Sequence, residues 1–435
     1  MSRRTFGITA PLLFMALALA VALPACRSAD PGGPAPEPPS EINEVVDVWL
    51  RLSEADPKAK DIAIVQVWNS LSQQFVDKDT IDATALSQAA IDAMMDAEKE
   101  GVAALDPVVL SGVAIEAMLK VVDDPYTQYL DPEQYERYLE SNKGEFEGIG
   151  ARVDLIDGRL TVVAPIAGAP AERAGLMAGD VIIEVDGVSA KGWSLMESVS
   201  RVRGPKGTSV RLLVERRNSL EPVTIEVVRD AIAIESVQWE MLPGGVAHMR
   251  ITTFALNTDE ALAEALEEMI KQDVQGIVLD LRNNPGGSLE TTINVASEFL
   301  DEDLVLYLVH GNGDRHDFKA EEGGGALDIP VVVLVNRRSA SGSEVLAAAL
   351  QDWGRAKLVG TTTFGKGSAN LAKSLSDGSG LYFTTGRWYS PNGRLIEGKG
   401  LAPDIVEIDG PDGHEDPQLE RALEQLGIAA ATASH

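Results

Sequence analysis

Apolar residues recur at helical spacing along residues 41–142. Ile42, Val45, Val46, Trp49 and Leu50 mark one stripe, and Ile62, Val65, Val67 and Leu71 a second. Alanine-rich runs follow at 83–98 and 109–122, and Asp131-Pro132 has the form of an N-cap and first helical residue. This predicts a helical N-terminal region with no evident chemistry of its own, suited to packing or dimer contacts. From Gly144 to about Arg229 the period becomes two. Ala151–Leu155, Leu160–Val163, Val181–Val185 and Val210–Val214 read as short strands between Gly, Asp and Pro turns, with helices near Pro170–Ala174 and Ser194–Val202. A compact β domain over 143–230 is expected.

Over 235–410 strands and helices alternate, the pattern of an α/β core. Gly276–Leu281 is a wholly apolar strand but for Asp280, and it runs into RNNPGG and a helix over 289–300. Val331–Val335 is a second such strand, followed by small residues and a helix over Ser341–Asp352. A short amphipathic helix at 416–427 lies within the closing segment, 411–435.

The first 25 residues are an address rather than fold. Arg3 and Arg4 precede an apolar stretch from Ile8 to Leu23, as in a secretory signal. Leu23-Pro24-Ala25-Cys26 resembles a bacterial lipobox, in which the cysteine is acylated. An ordinary signal peptide with an incidental cysteine is the alternative. Cys26 is the one cysteine in the chain, and the Pro/Gly-rich residues 26–40 suit a tether. Ser2–Phe6 also resembles a twin-arginine export motif, so the export route stays open. Export to a bacterial envelope, the periplasm, with membrane attachment at Cys26, is the expected location.

Charge narrows the partners. The formal net charge of −30 argues against nucleic acid, whose phosphates need basic surface. One cysteine and five scattered histidines exclude a disulfide and offer no zinc spacing, so no metal or other cofactor is expected.

Three segments carry candidate chemistry, each with a plainer reading beside it. In NRRSASGSE a serine stands between strand and helix, where free N–H groups of the first helical turn point outward. Ser341-Gly342-Ser343-Glu344 is equally a capping box, which needs no catalysis. In TFGKGSAN, Lys366 lies between glycines behind Phe364; a lysine base must be desolvated, and Phe364 is expected to exclude water. A surface lysine in a glycine loop is the plainer reading. In LDLRNNPGG, a strand, glycine turn and helix make a natural anion site, or simply a tight turn.

Together with DPYTQYL (124–130) and SPNGRLIEGKGLAPDI (390–405), these motifs resemble, in order, those of carboxyl-terminal processing proteases, also called tail-specific proteases. The resemblance runs over about 60–427. It implies an α+β multidomain chain: the helical region, a PDZ-like β domain and a crotonase-like α/β protease core. It further implies a serine endopeptidase with Ser341 as nucleophile, Lys366 as base and Asn370 beside it. Oxyanion donors would be the Gly342 amide and an amide of Gly286 or Gly287. Substrate C-termini would bind at Gly148, Ile149 and Gly150, with the last side chain among Ile149, Leu195 and Val199. Two departures stand out. Asn370 occupies a position where many relatives carry glutamine, and Gly342 replaces a common alanine, which suggests a looser turn.

Two rivals remain on the sequence. A Ser-His-Asp hydrolase would need His248, His310, His316, His414 or His435 at the nucleophile. A non-catalytic, anchored PDZ adaptor would need neither.

Overall fold

The computed structural model describes residues 38–53, 62–100, 106–142, 145–156, 158–166, 168–193, 195–217, 219, 221–233, 235–408 and 416–427. The expected leader, Cys26 and most of the tether lie outside the described residues. Among those described, no helix is long and apolar enough to cross a membrane. The chain forms two compact units, one from the segments up to Tyr135 and from Ser236 onward, the other Glu136–Glu235.

The N-terminal segment builds helices α1 (Ser40–Ser53), α2 (Ala63–Gln74), α3 (Ala83–Lys99) and α4 (Pro107–Val122), then strand β1 (Gln128–Leu130) and helix α5 (Pro132–Asn142). Aspartates start α3, α4 and α5. The Asp82 side chain accepts from the Thr84 and Ala85 N–H groups, and Asp106 from Val108 N–H ahead of Pro107. Asp131 and Gln134 exchange side-chain and backbone bonds at 2.7 and 3.0 Å, the cap anticipated from Asp131-Pro132.

The second unit contains β2 (Glu145–Gly148), β3 (Ala151–Ile156), β4 (Arg159–Pro165), α6 (Pro170–Arg173), β5 (Val181–Val185), β6 (Val188–Ser189), α7 (Leu195–Val202), β7 (Ser209–Glu215), β8 (Val223–Val228) and β9 (Asp230–Ala233). Its main sheet runs β3-β4-β5-β7-β8, with β6 on β5 and a separate β2-β9 ribbon. Alternation is clear in β7, where Val210, Leu212 and Val214 are buried while Ser209, Arg211 and Glu215 face water. Strand β3 is an edge.

The rest of the first unit comprises β10 (Val237–Leu242), β11 (Val246–Ile251), α8 (Thr258–Lys271), β12 (Gly276–Asp280), α9 (Leu289–Ser297), β13 (Leu304–His310), β14 (Arg315–Lys319), β15 (Val331–Val335), α10 (Gly342–Asp352), β16 (Ala356–Gly360), β17 (Ser368–Ser374), β18 (Gly380–Tyr389), β19 (Ile405–Val406) and α11 (Pro417–Gln425). One sheet runs β10-β11-β12-β15-β16-β19 and is parallel apart from β10. All five residues of β12 and of β15 are buried, because helices cover both faces. Ile277, Leu279, Val331, Val333 and Val335 join the core containing α8, α9 and α10; Val278, Val332 and Leu334 face α11.

Strand β18 is the spine of a second sheet. It pairs with β1 and β13 along one edge and β17 along the other. Leu375, Leu381 and Phe383 share a hydrophobic core with Ile42, Val67, Leu71, Leu110 and Ile115. The N-terminal helices and the α/β segment are therefore one body.

Candidate active site

In a parallel sheet, loops leaving the carboxyl ends of adjacent strands converge, and ligands bind there. Here β11 leads to Thr252–Asn257, β12 to RNNPGG, β15 to NRRSAS and β16 to TTTFGKG. The turns are fastened to one another through the backbone. Ala340 N–H and Ser343 Oγ donate to Asn284 O at 3.0 and 2.8 Å, Ser339 Oγ to Leu281 O at 2.8 Å, and Phe364 N–H to Ser339 O at 3.0 Å.

Ser341 precedes α10 with φ 55°, ψ −116°, a left-handed conformation that costs a non-glycine residue about 1–3 kcal/mol. Ser341 and Glu344 form the capping box: the Glu344 carboxylate accepts from Ser341 N–H at 2.9 Å, while the buried Ser341 Oγ faces the first helical turn without a hydrogen bond of standard geometry.

Glu344 does more than cap. Its fully buried carboxylate also accepts from Gly365 N–H at 2.7 Å, Lys366 N–H at 2.9 Å and the Thr363 hydroxyl. Burial pushes its pKa up, and these hydrogen bonds oppose that shift. Every partner donates, so the carboxylate form is the one this pocket accommodates. One side chain thus ties the Ser341 turn to the Lys366 loop.

Lys366 is 1% exposed. Its Nζ lies 3.4 Å from the Tyr382 hydroxyl, with the Tyr126 and Tyr382 ring centroids at 5.2 and 5.5 Å. Desolvation lowers its pKa to about 8, against the opposing fields of Glu397, Asp124 and Glu344. Its carbonyl accepts from Trp388 Nε1 at 2.9 Å. Phe364 is not the water shield expected from its place in the sequence. It is 49% exposed, and the Tyr126 and Tyr382 rings flank the amine instead.

Tyr126 brings the N-terminal region against Lys366. The residue comes from the DPYT loop, and Asn370 holds it: Asn370 Nδ2 donates to Tyr126 O at 2.9 Å and to Thr384 Oγ1 at 3.1 Å. The Asn370 Oδ1 accepts from Ser368 Oγ at 3.3 Å, so the amide bonds to the residues around Lys366 rather than to its amine. The DPYTQYL motif marks the segment, but sequence spacing does not show that the Tyr126 ring meets a lysine 240 residues away.

The oxyanion candidates separate. Gly286 N–H donates to Asn284 Oδ1 at 2.8 Å, so it is engaged within its own turn. The Gly342 and Gly287 N–H groups have no acceptor among the described residues. Gly287 must be glycine, since at φ 156° a Cβ would lie 2.2 Å from Phe254 O. A Cβ at Gly342 would meet Thr292 Oγ1 at 2.6 Å, so glycine makes room for the Thr292 side chain.

Among the described histidines, His248 contacts Asp280 at 3.2 Å, His310 the Thr385 carbonyl at 3.3 Å, and His316 packs on Phe318. None is bonded to Ser341; His414 and His435 lie outside the described residues.

In the second unit Ile149 and Gly150 link β2 to β3. Their carbonyls accept from Ala171 N–H at 2.7 Å and Ile166 N–H at 2.9 Å, while their own N–H groups have no acceptor among the described residues. Gly148 ends β2 opposite Asp230. Gly150 (φ 70°) has no room for a Cβ, which would lie 2.4 Å from the Ala169 Cβ. Helix α7 packs on β3 with Val199 half-buried; the Leu195 side chain lies outside what is described.

Comparison with known proteins gives the class. Residues 161–216 match the PDZ domain and residues 245–407 match peptidase family S41. The carboxy-terminal processing protease CtpA of Bacillus subtilis is 38% identical over 308 residues, 71% of this chain and 66% of its own. The carboxyl-terminal-processing protease of Synechocystis is 39% identical over 335 residues, 73% of this chain and 78% of its own. Among solved structures, the photosystem II D1 C-terminal processing protease has a TM-score of 0.50 at 29% identity, covering 91% of this chain and 99% of its own. The protein is a serine-type peptidase of mixed α/β fold with a PDZ domain. Within that class, the chain belongs to the carboxyl-terminal processing proteases of peptidase family S41.

Proposed function

We propose that the protein is an endopeptidase that processes or degrades exported proteins, captures their C-termini on its PDZ domain, and cleaves with Ser341 and Lys366. The observation that carries this reading is a lysine amine buried to 1% exposure, in a loop tied through Glu344 to the turn bearing an unpartnered serine hydroxyl.

Neutral Lys366 takes the Ser341 proton as Oγ attacks the scissile carbonyl. Ser341 Oγ and Lys366 Nζ do not bond each other at rest, so the lysine arm turns from Tyr382 to the serine when substrate arrives. Such catalytic bonds often tighten only in the reacting complex. The Gly342 and Gly287 amides receive the oxyanion, each donor contributing about 10²–10³ in kcat. Lysine, now protonated, gives its proton to the leaving amine and then activates the water that releases the acyl group. A substrate C-terminus would pair along the open edge of β3, its carboxylate on the Ile149 and Gly150 amides and its last side chain against Val199.

The neutral fraction of Lys366 grows with pH through its pKa of about 8. Cleavage of an unstructured, C-terminally tagged peptide should therefore rise between pH 6 and 9 and level off above. About a tenth of the plateau rate is expected at pH 7. A flat profile, or full activity in Lys366→Ala, would remove lysine as base.

The leader and the Leu23–Cys26 sequence support export with lipid attachment at Cys26. The mature N-terminal peptide should begin at Cys26 and carry acyl mass; an unmodified start elsewhere refutes the anchor.

A further inference from the structure

One ionisable group beside the base has no role in the steps above. Glu397 packs directly on Gly367, the residue after Lys366: a Cβ on Gly367 would lie 2.9 Å from Glu397 N and 3.1 Å from its Cβ. Burial pushes the Glu397 carboxyl up, the neighbouring Gly367 N–H and Tyr126 hydroxyl oppose that shift, and its Oε2 is buried with no hydrogen-bond partner. The same Tyr126 ring covers Lys366 Nζ. Carboxylate, phenol and ammonium thus form one cluster, assembled from the DPYT loop, the FGKG loop and the GRLIEGKG loop.

We propose that Glu397, held by Tyr126 and Gly367, is the counter-charge of the base: it stabilises the protonated form of Lys366 and so sets the pH at which the peptidase turns on. This rests on the reading of Lys366 as base. Glu397 touches neither substrate nor reacting oxygen and is a positioning residue.

The charged and titratable groups facing Lys366 are Glu397, Asp124, Glu344, Tyr126 and Tyr382. Two of the three carboxylates are occupied. Asp124 accepts from the Thr127 and Thr384 hydroxyls at 2.5 and 2.6 Å and from Tyr126 N–H, and Glu344 from its four donors. Arg387 and Asp124 also face Glu397, but Arg387 is paired with Asp77 at 2.6 and 3.0 Å. Glu397 is left with a free oxygen, and its field on the lysine is the largest of those opposing burial. Burial raises the Tyr126 pKa to about 12, which keeps the phenol a donor to Glu397.

The test is the pH–rate profile of wild type, Glu397→Gln and Glu397→Asp. In Glu397→Gln the midpoint should move to acid by about one pH unit, with a plateau lowered a few-fold because the base is weaker. The fraction of plateau activity reached at pH 7 should rise severalfold, which a purely structural role does not produce. Glu397→Asp should shift less, about half a unit, and carries the test alone if the glutamine variant fails to fold by circular dichroism. A variant midpoint within about 0.2 of a clear wild-type midpoint overturns the role of Glu397 while leaving Lys366 as base. A wild-type profile with no midpoint defeats both.

Discussion

Ser341→Ala is expected to abolish peptide cleavage, by at least about 10³-fold, and at the same time to raise the melting temperature. The first effect follows if Ser341 Oγ is the nucleophile, because the buried amide pair then has no attacking oxygen to serve. The second follows from the free protein. The hydroxyl is buried with no partner, and relieving an unsatisfied buried polar atom stabilises by about 1–3 kcal/mol. The strain at φ 55° persists in alanine, so the gain should lie near the lower end. Peptidase assay and calorimetry on the same preparation check both. Retained turnover, or a melting temperature below wild type, contradicts the assignment. A reactive group that costs stability while idle is a familiar trade in active sites.

Glu344→Ala should be the most damaging change besides those at Ser341 and Lys366, lowering stability by roughly 4 kcal/mol or more and removing nearly all activity. It leaves the Ser341, Gly365 and Lys366 N–H groups and the Thr363 hydroxyl without their acceptor at a buried position. Glu344→Gln should be milder in melting temperature. Its amide oxygen can still serve one pair of donors, while its NH₂ group opposes the others. Thermal melts of the two variants, read beside kcat, test this: equal stability of alanine variant and wild type rules out the four-donor role.

The parts of the fold written in local pattern were legible. Strands β12 and β15 are continuous apolar runs, and helix α10 begins where small residues interrupt one, so the position of Ser341 followed from the chain. Lys366 was legible as a candidate through its glycines, each needed for close passage of the 396–400 loop. What escaped was whatever depends on distant partners. Phe364 looked like a lid because aromatics usually bury, yet its neighbours leave half of it in water. Gly286 and Gly287 are indistinguishable in sequence; only the Asn284 side chain, turning back by two residues, separates them. Tyr126 and Glu397 lie in motifs that carry the resemblance, but only folding brings them to the lysine.

That last point bears on how the chain assembles. Asn370 meets Tyr126 across 244 positions, and Lys373 meets Ser70 across 303. The helices made first by the ribosome must wait for almost the whole remaining polypeptide before their core with Leu381 and Phe383 can close. The intervening β domain has contacts enough of its own to form meanwhile. A nascent chain therefore lacks the Tyr382 wall of its Lys366 pocket until synthesis is essentially complete.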